Sequence, residues 1–495
     1  MITGVGPQSS LIVSALGDMR SQLDDLQRQL GTGQKSTTYA GLGIDRGLAV
    51  GLQGQLSAMS GYADTVTQIG VRMSLQQTSL TRIADIGSAM KGATLTQFNI
   101  DASGQTATQR TAISQLDEIL GLLNTPAGDR YLFSGRAGDK PATETLDHIL
   151  NGDGAKAGLK QIIAERNQAD LGASGMGRLV TGVAGAQVNL SEETPPTVFG
   201  MKLASVSALN GAAVTGPTGS PAGIGVNFTG APNAGDAITF GFNLPDGTTQ
   251  QITLTATNSS PPAANEFTIG ANVNATAANL QASLTTAVQK LAATSLSAAS
   301  AMAASDDFFN VDAGQPPMRV AGPPLTATAL IAGTAANTVT WYTGEMGTDS
   351  ARGTAVAKID DALSVSYGAR GNEQAIVTTL KYTAVFVATT YSAADPNAGT
   401  LYKEVNGRVY SGLAVTNGQQ TLQDIEAELA FAQSTMKDAS TRNASRQVTL
   451  QDMLQGIEQV DPQEVATQVL AMQTQLQASL QTTAMLSKLS IINYL

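Results

Sequence analysis

The sequence contains no cysteine, one histidine (His148) and one tryptophan (Trp341). Without thiols there is no disulfide framework, thiolate zinc site, iron–sulfur cluster or cysteine nucleophile. A single histidine excludes any site with two imidazole ligands, and a Ser–His–Asp triad could run only through His148. Charged residues make up 14% of the chain, against a typical value of about 25%, and aromatics 4%. The net charge is -11 with no basic patch, which argues against nucleic acid and against an anionic membrane surface. The absence of cysteine assigns no compartment, but it fits a protein with no use for thiol chemistry on its way out of the cell.

Long apolar runs are also missing. No segment approaches the ~18 apolar residues of a membrane-spanning helix. At the N-terminus the first basic residue is Arg20, Asp18 precedes it, and Ser9, Ser10 and Ser14 dilute the apolar stretch. That is not the pattern of a cleaved secretory signal. The expectation is a chain soluble as made, which leaves the cell, if it does, by a route that removes no N-terminal signal.

What the chain does have is helical seams at both ends. Ile12, Leu16, Met19, Leu23, Leu26 and Leu30 are spaced 4, 3, 4, 3, 4, the a/d pattern of a coiled coil, and Gly31 and Gly33 stop the helix. A second helix is predicted from near Leu52 over about 45 residues, ending before Asn99–Gly104. A third carries Ile113, Leu116, Leu120 and Leu123, closed by Asn124–Thr125–Pro126. Near the C-terminus, Leu422, Ile425, Leu429, Ala432, Met436 and Ala439 run in register on to Leu450, Met453, Ile457 and Val460, interrupted by Asn443 and Arg446. Asp461–Pro462–Gln463–Glu464 is a restart signal, with Asp as N-cap and Pro at the first helical position. The last helix carries Val465, Val469, Met472, Leu476 and Leu480, and ends in the apolar Leu489–Ile491–Ile492–Tyr494–Leu495. Each stripe taken singly reads as a helix packing on its own domain. Two terminal seams of similar length, on thin amphipaths marginal in isolation, suit an assembly subunit.

The middle differs. From about Gly200 to Gly347 the sequence is rich in Ala, Thr, Gly, Ser and Pro. Ile238, Phe240, Phe242 and Leu244 alternate, Pro245–Asp246–Gly247 turns, and Ile252 and Leu254 alternate back, predicting a hairpin. Leu280, Leu284, Val288 and Leu291 predict a helix. Such composition also occurs in disordered segments, but the hairpin favours a small folded α+β domain.

Residues for chemistry are few. His148, beside Asp147, falls in a loop-like stretch and reads as a surface connection. Asp306–Asp307 with Asp312 lacks the alternating spacing and closing Glu of a calcium loop and reads as a solvated loop. Gly31–Thr32–Gly33 and Gly41–Leu42–Gly43 neither follow a strand nor carry the Lys-Ser/Thr ending of a phosphate loop. The expectation is no enzyme, no catalytic residue, no metal and no cofactor.

Several segments carry a resemblance. Leu30–Gly31–Thr32–Gly33–Gln34–Lys35 resembles the Leu-Ser-Thr-Gly-x-Arg/Lys segment of the bacterial flagellin and flagellar hook-associated protein 3 family. Gly31 stands where Ser is usual, and the paired Asp that normally follows is reduced to Asp45. Gly128–Asp129–Arg130–Tyr131–Leu132–Phe133–Ser134–Gly135 is similar to the strand after the third helix in the junction branch of that family. Ile359–Asp360–Asp361, Ser366–Tyr367–Gly368–Ala369–Arg370–Gly371–Asn372–Glu373 and Val198–Phe199–Gly200–Met201–Lys202–Leu203 resemble stretches of its alphaproteobacterial members. The resemblance covers about 1–203 and 355–495 and little of the insert. The Tyr-Leu-Phe-Ser-Gly motif points to the hook–filament junction, the length to the filament.

The resemblance implies a mainly α fold with an α+β insert: paired long N- and C-terminal coiled-coil helices and a β-containing outer domain. The implied layout is 1–45 as the N-terminal half of an inner core and 46–203 as a helical and β-hairpin rod domain. A variable, surface-exposed insert follows at 204–350, then the rod's return at 351–460 and the C-terminal half of the core at 461–495. The implied function is a structural subunit of the extracellular flagellum, serving motility as filament or as junction. It would be exported unfolded through the flagellar type III apparatus and join a helical homopolymer alongside hook-associated proteins and the filament cap, with neither nucleic acid nor membrane insertion. The subunit-interface seam is expected at Leu16, Met19, Leu23, Leu26, Leu30, Val465, Val469, Met472, Leu476 and Leu480. The alternative is a cell-surface adhesin on the flagellin scaffold, binding glycan or host protein through 204–350.

Overall fold

The computed structural model describes residues 6–102, 104–310 and 316–492, with side chains described between Leu11 and Met485. The described chain is an α+β mixture, about 53% helical, with several small sheets. Its helices are α1 (Gly6–Thr32), α2 (Arg46–Ala93), α3 (Ala107–Leu123), α4 (Leu146–Asn151), α5 (Leu159–Leu171), α6 (Val273–Leu291), α7 (Ser297–Phe309), α8 (Gln374–Ala388), α9 (Ala398–Gly412), α10 (Leu422–Glu458) and α11 (Pro462–Ile492). Its strands are β1 (Pro126–Ala127), β2 (Arg130–Tyr131), β3 (Leu179–Ala184), β4 (Gln187–Glu192), β5 (Lys202–Val206), β6 (Ala212–Thr218), β7 (Gly223–Phe228), β8 (Ala237–Asn243), β9 (Thr249–Thr257), β10 (Glu266–Thr268), β11 (Met318–Val320), β12 (Leu330–Ala332), β13 (Val356–Lys358) and β14 (Ser364–Ser366).

The chain divides into two compact units, each built from separated segments. The smaller combines Met1–Ile69, Ala357–Val365 and Gln433–Leu495; the larger combines Gly70–Val356 and Ser366–Ala432.

Local signals set the helix ends. Gly33, at φ 71°, takes the left-handed position after α1, and its N–H closes on the Gln29 carbonyl at 2.8 Å. Thr106 and Gln109 cap α3 reciprocally, so that helix begins at Ala107. Thr421 and Asp424 do the same before α10. That hydrogen bonding, the Thr421 N–H first, holds the Asp424 carboxyl below its ordinary pKa. Asp461 accepts from the Gln463 N–H at 2.8 Å, with Pro462 opening α11. The second predicted helix starts earlier than Leu52, at Arg46.

In the larger unit, residues 70–93 of α2 bury Met73, Leu80, Ile83, Ile86 and Met90. Gly87 approaches Thr379 of α8, Arg82 pairs with Glu118 of α3, and Thr81 donates to Glu426 of α10. Arg82 holds the Glu118 carboxyl below its ordinary pKa. Gln109 of α3 donates to the carbonyls of Phe386 and Thr389, satisfying the end of α8.

Two four-stranded sheets share a core with α6. One is antiparallel in the order β3-β4-β7-β6; the other runs β10-β9-β8-β5, parallel only between β9 and β10. The predicted hairpin is β8–β9, with Phe240 opposite Ile252 and Ile238 opposite Leu254. Gly247, at φ 78°, completes its turn. Phe240, Phe242, Leu254, Leu280, Leu284 and Val288 are fully buried together with Val188, Leu190 and Val226. A boundary at 204 therefore cuts this body: β3 and β4 lie before it, pair with β7 after it, and feed the same core.

Candidate assembly surface

In the smaller unit the first and last helices, α1 and α11, meet. The Val460 N–H donates to the Gly33 carbonyl at 3.0 Å and the Lys35 N–H to the Glu458 carbonyl at 2.8 Å, so the end of α1 is tied to the start of α11. Farther along, Gln22, Asp25 and Leu26 face Gln468, Ala471, Met472 and Gln475 across a groove of about 390 Å³. The helices therefore run side by side and antiparallel.

The expected seam residues do not share one fate. Val465 and Val469 are buried, at 5% and 8% exposure. Leu16, Met19, Leu23, Leu26, Met472 and Leu476 are half-buried. Leu30 and Leu480 are exposed, at 41% and 49%. Leu11, Val13, Leu470 and Met485 also face solvent from the two helices. Of the apolar C-terminal residues, Tyr494 and Leu495 lie outside the described residues, as do the side chains of Leu489, Ile491 and Ile492.

The rest of this unit has a small core, with Ala49 and Leu52 of α2 packed on Leu454 of α10 and flanked by Leu42, Leu56, Leu450 and Ile457. The 357–365 turn is gripped by side chains: Tyr62 donates to Asp361 at 2.9 Å, Asn443 to the Ile359 carbonyl at 3.0 Å, and Arg446 to Asp360 at 3.3 Å. Ile44 is 98% exposed, and Leu48, Val448 and Met453 are exposed as well.

Three motifs singled out in the sequence have partners. Lys35 lies against the last turn of α10, its ammonium 3.1 Å from the Gly456 carbonyl, where a helix end favours positive charge. Within the larger unit, 128–135 pairs with 366–373. The Gly371 N–H donates to the Phe133 carbonyl at 2.8 Å, the Gly135 N–H donates to the Ala369 carbonyl at 3.2 Å, and Ser134 bridges Arg370. Phe133 and Ser134 are fully buried. Of the Val198–Leu203 motif, Phe199 and Met201 are fully buried, and the Gly200 N–H donates to Asp170 at 2.8 Å.

Two expectations about candidate chemistry need correction. His148 is not in a loop but in α4, capped by Thr145 with Ile149 and Leu150 buried beneath; the missed signal is Thr145 followed by apolar residues at helical spacing. Its ring nitrogen lies 3.1 Å from Glu144, and that hydrogen bond raises the imidazole pKa. Asp306 and Asp307 are not in a solvated loop but in the last turn of α7. Asp306 pairs with Lys381, and Asp307 lies 3.7 Å from Arg166. Burial raises the Asp307 pKa, opposed by Arg166. Asp312 lies outside the described residues. Among the described residues no cluster of three or more His, Asp or Glu could hold a metal ion, and no helix is long and apolar enough to cross a membrane. Neither Gly31–Thr32–Gly33 nor Gly41–Leu42–Gly43 follows a strand; the first ends α1 and the second sits in a 3-10 stretch, Tyr39–Asp45.

No family model matches this chain, and no curated protein matches it.

Proposed function

We propose that the chain is a structural, non-enzymatic subunit of the bacterial flagellum, a flagellin-like axial protein of the filament or of the hook–filament junction. The observation that carries the reading is the antiparallel pairing of α1 with α11, which leaves Leu30, Leu470, Leu480 and Met485 uncovered in the single chain. Apolar residues at this density on two thin helices favour contact with neighbouring copies. The pairing of 128–135 with 366–373 adds support, because both segments resemble the same family and they meet each other.

In this reading α1 and α11 form a coiled-coil inner core, and the seam leucines make contacts between copies. The chain is exported unfolded through the type III apparatus to the cell exterior. It there meets hook-associated proteins, the cap and its own copies. Electron microscopy of purified chain added to sheared filament seeds tests it. Elongation marks a filament subunit, and a single ring at the hook end marks a junction subunit. A chain that does neither is not an axial protein.

A further inference from the structure

A cleft of about 960 Å³ opens beside α9, walled by α8, the end of α7 and the β8–β9 turn. That is the size of a small-molecule site. Its charges balance, with Lys381, Lys403 and Arg408 set against Asp246, Asp306 and Glu404. Most neutralise one another: Arg408 lies 2.7 Å from Asp246 and 2.6 Å from Glu404, and Lys381 pairs with Asp306. The three cations and three anions of the lining sum to no net formal charge.

It does offer unpaired amides. Gln250, Asn372, Gln374 and Gln419 line the cleft, and their side chains make no hydrogen bond within the described chain. Each presents donors and an acceptor in one plane. Tyr382 stands on the same wall, its ring pressed so close over Gly412 that a Cβ there would lie 1.9 Å from Cζ.

A second groove of about 710 Å³ continues along the helix. It shares Lys403, Gly407 and Ser411 with the first and adds the half-buried ring of Phe98 and the exposed ring of Tyr410, while Tyr402 is buried against Phe98. Asn406 borders it at 5% exposure; its Nδ2 donates to the Thr94 carbonyl at 2.9 Å, while its buried Oδ1 has no partner. The shared ridge from Lys403 to Ser411 spans about 12 Å of helix.

We propose that this groove along α9 binds a neutral oligosaccharide. Sugar hydroxyls both donate and accept, matching the free amides. The C–H faces of a pyranose suit the accessible rings of Tyr382 and Tyr410, which join an apolar body to a polar tip. The cancelled charges disfavour sialylated or uronate glycans. Capture of a peptide by strand addition is not available, since β8 and β9 are paired on both edges. The proposal rests on the larger unit alone and stands apart from the flagellar reading.

The test applies the full chain to a printed array of neutral glucose, galactose, mannose and N-acetylglucosamine oligomers beside sialylated and uronate glycans. Neutral glycans bind. By calorimetry with the best of them, the double variant Asn372→Ala/Gln374→Ala binds at least about tenfold more weakly, with an unchanged melting profile. Gly407→Trp, which adds a ring where a Cβ meets nothing within 4 Å, blocks binding independently. Neutral glycans at background, binding of anionic glycans only, or full binding by both variants would overturn the proposal.

Discussion

The carbonyl of Phe133 accepts two hydrogen bonds from residues more than 200 positions later, one from the Gly371 N–H at 2.8 Å and one from the Tyr342 hydroxyl at 3.1 Å. Burial raises the Tyr342 pKa and keeps that hydroxyl a donor. The Phe133 ring is fully buried beneath this junction. Phe133→Ala is expected to destabilise the larger unit by about 3–5 kcal/mol, the usual cost of emptying a phenylalanine site. Chemical denaturation followed by circular dichroism reads it, and a loss under about 1 kcal/mol would remove the junction from the core.

The seam leucines are expected to act between copies. Leu23→Asp or Leu476→Asp places a carboxylate at a half-buried position that assembly covers further. An unpaired buried charge costs several kcal/mol, repeated in every copy. Sedimentation is expected to show no polymer from either variant, while the larger unit melts as in the parent chain. Normal polymers from either variant contradict the seam assignment.

Single chains should protect these helices poorly, because helix stability comes mostly from packing and several of their apolar residues are uncovered. Trypsin is expected to cut soluble protein at Arg20 and Arg28 first and to spare both sites in the polymer. Equal protection in the two states contradicts a seam completed by neighbours.

His148 gives a clean titration, being the only histidine. Its hydrogen bond to Glu144 holds the proton, so its imidazole resonance should titrate above the ordinary value of 6.5. A raised pKa means that the protonated form favours the folded state. Its contribution is complete below pH 6.5 and fades as pH rises through the folded value. Glu144→Gln is expected to lower the midpoint, and an unchanged midpoint would assign the shift to another group.

Much of the helical frame was legible because its signals are local. The seam spacing, Gly33 and Asp461–Pro462 place α1, α10 and α11 within a few residues, and Ile238, Phe240 and Phe242 with Pro245–Asp246–Gly247 place the β8–β9 hairpin. Helix α7 was not legible: it is buried nearly all round with Ala and Ser, so no face repeats. The β3-β4-β7-β6 sheet was missed because its strands are short and broken by Gly182, Pro217 and Gly225. The groove along α9 draws on 246–250, 302–310, 372–382 and 403–419, and no local pattern joins such distant segments.

The most direct measurement is immunogold labelling of intact flagella, sheared from cells that encode this chain, with antibody raised against residues 204–350. Gold is expected along the filament, or confined to its junction with the hook, and none after deletion of the gene. Flagella without label, with the antigen found elsewhere on the same cells, would contradict the flagellar reading.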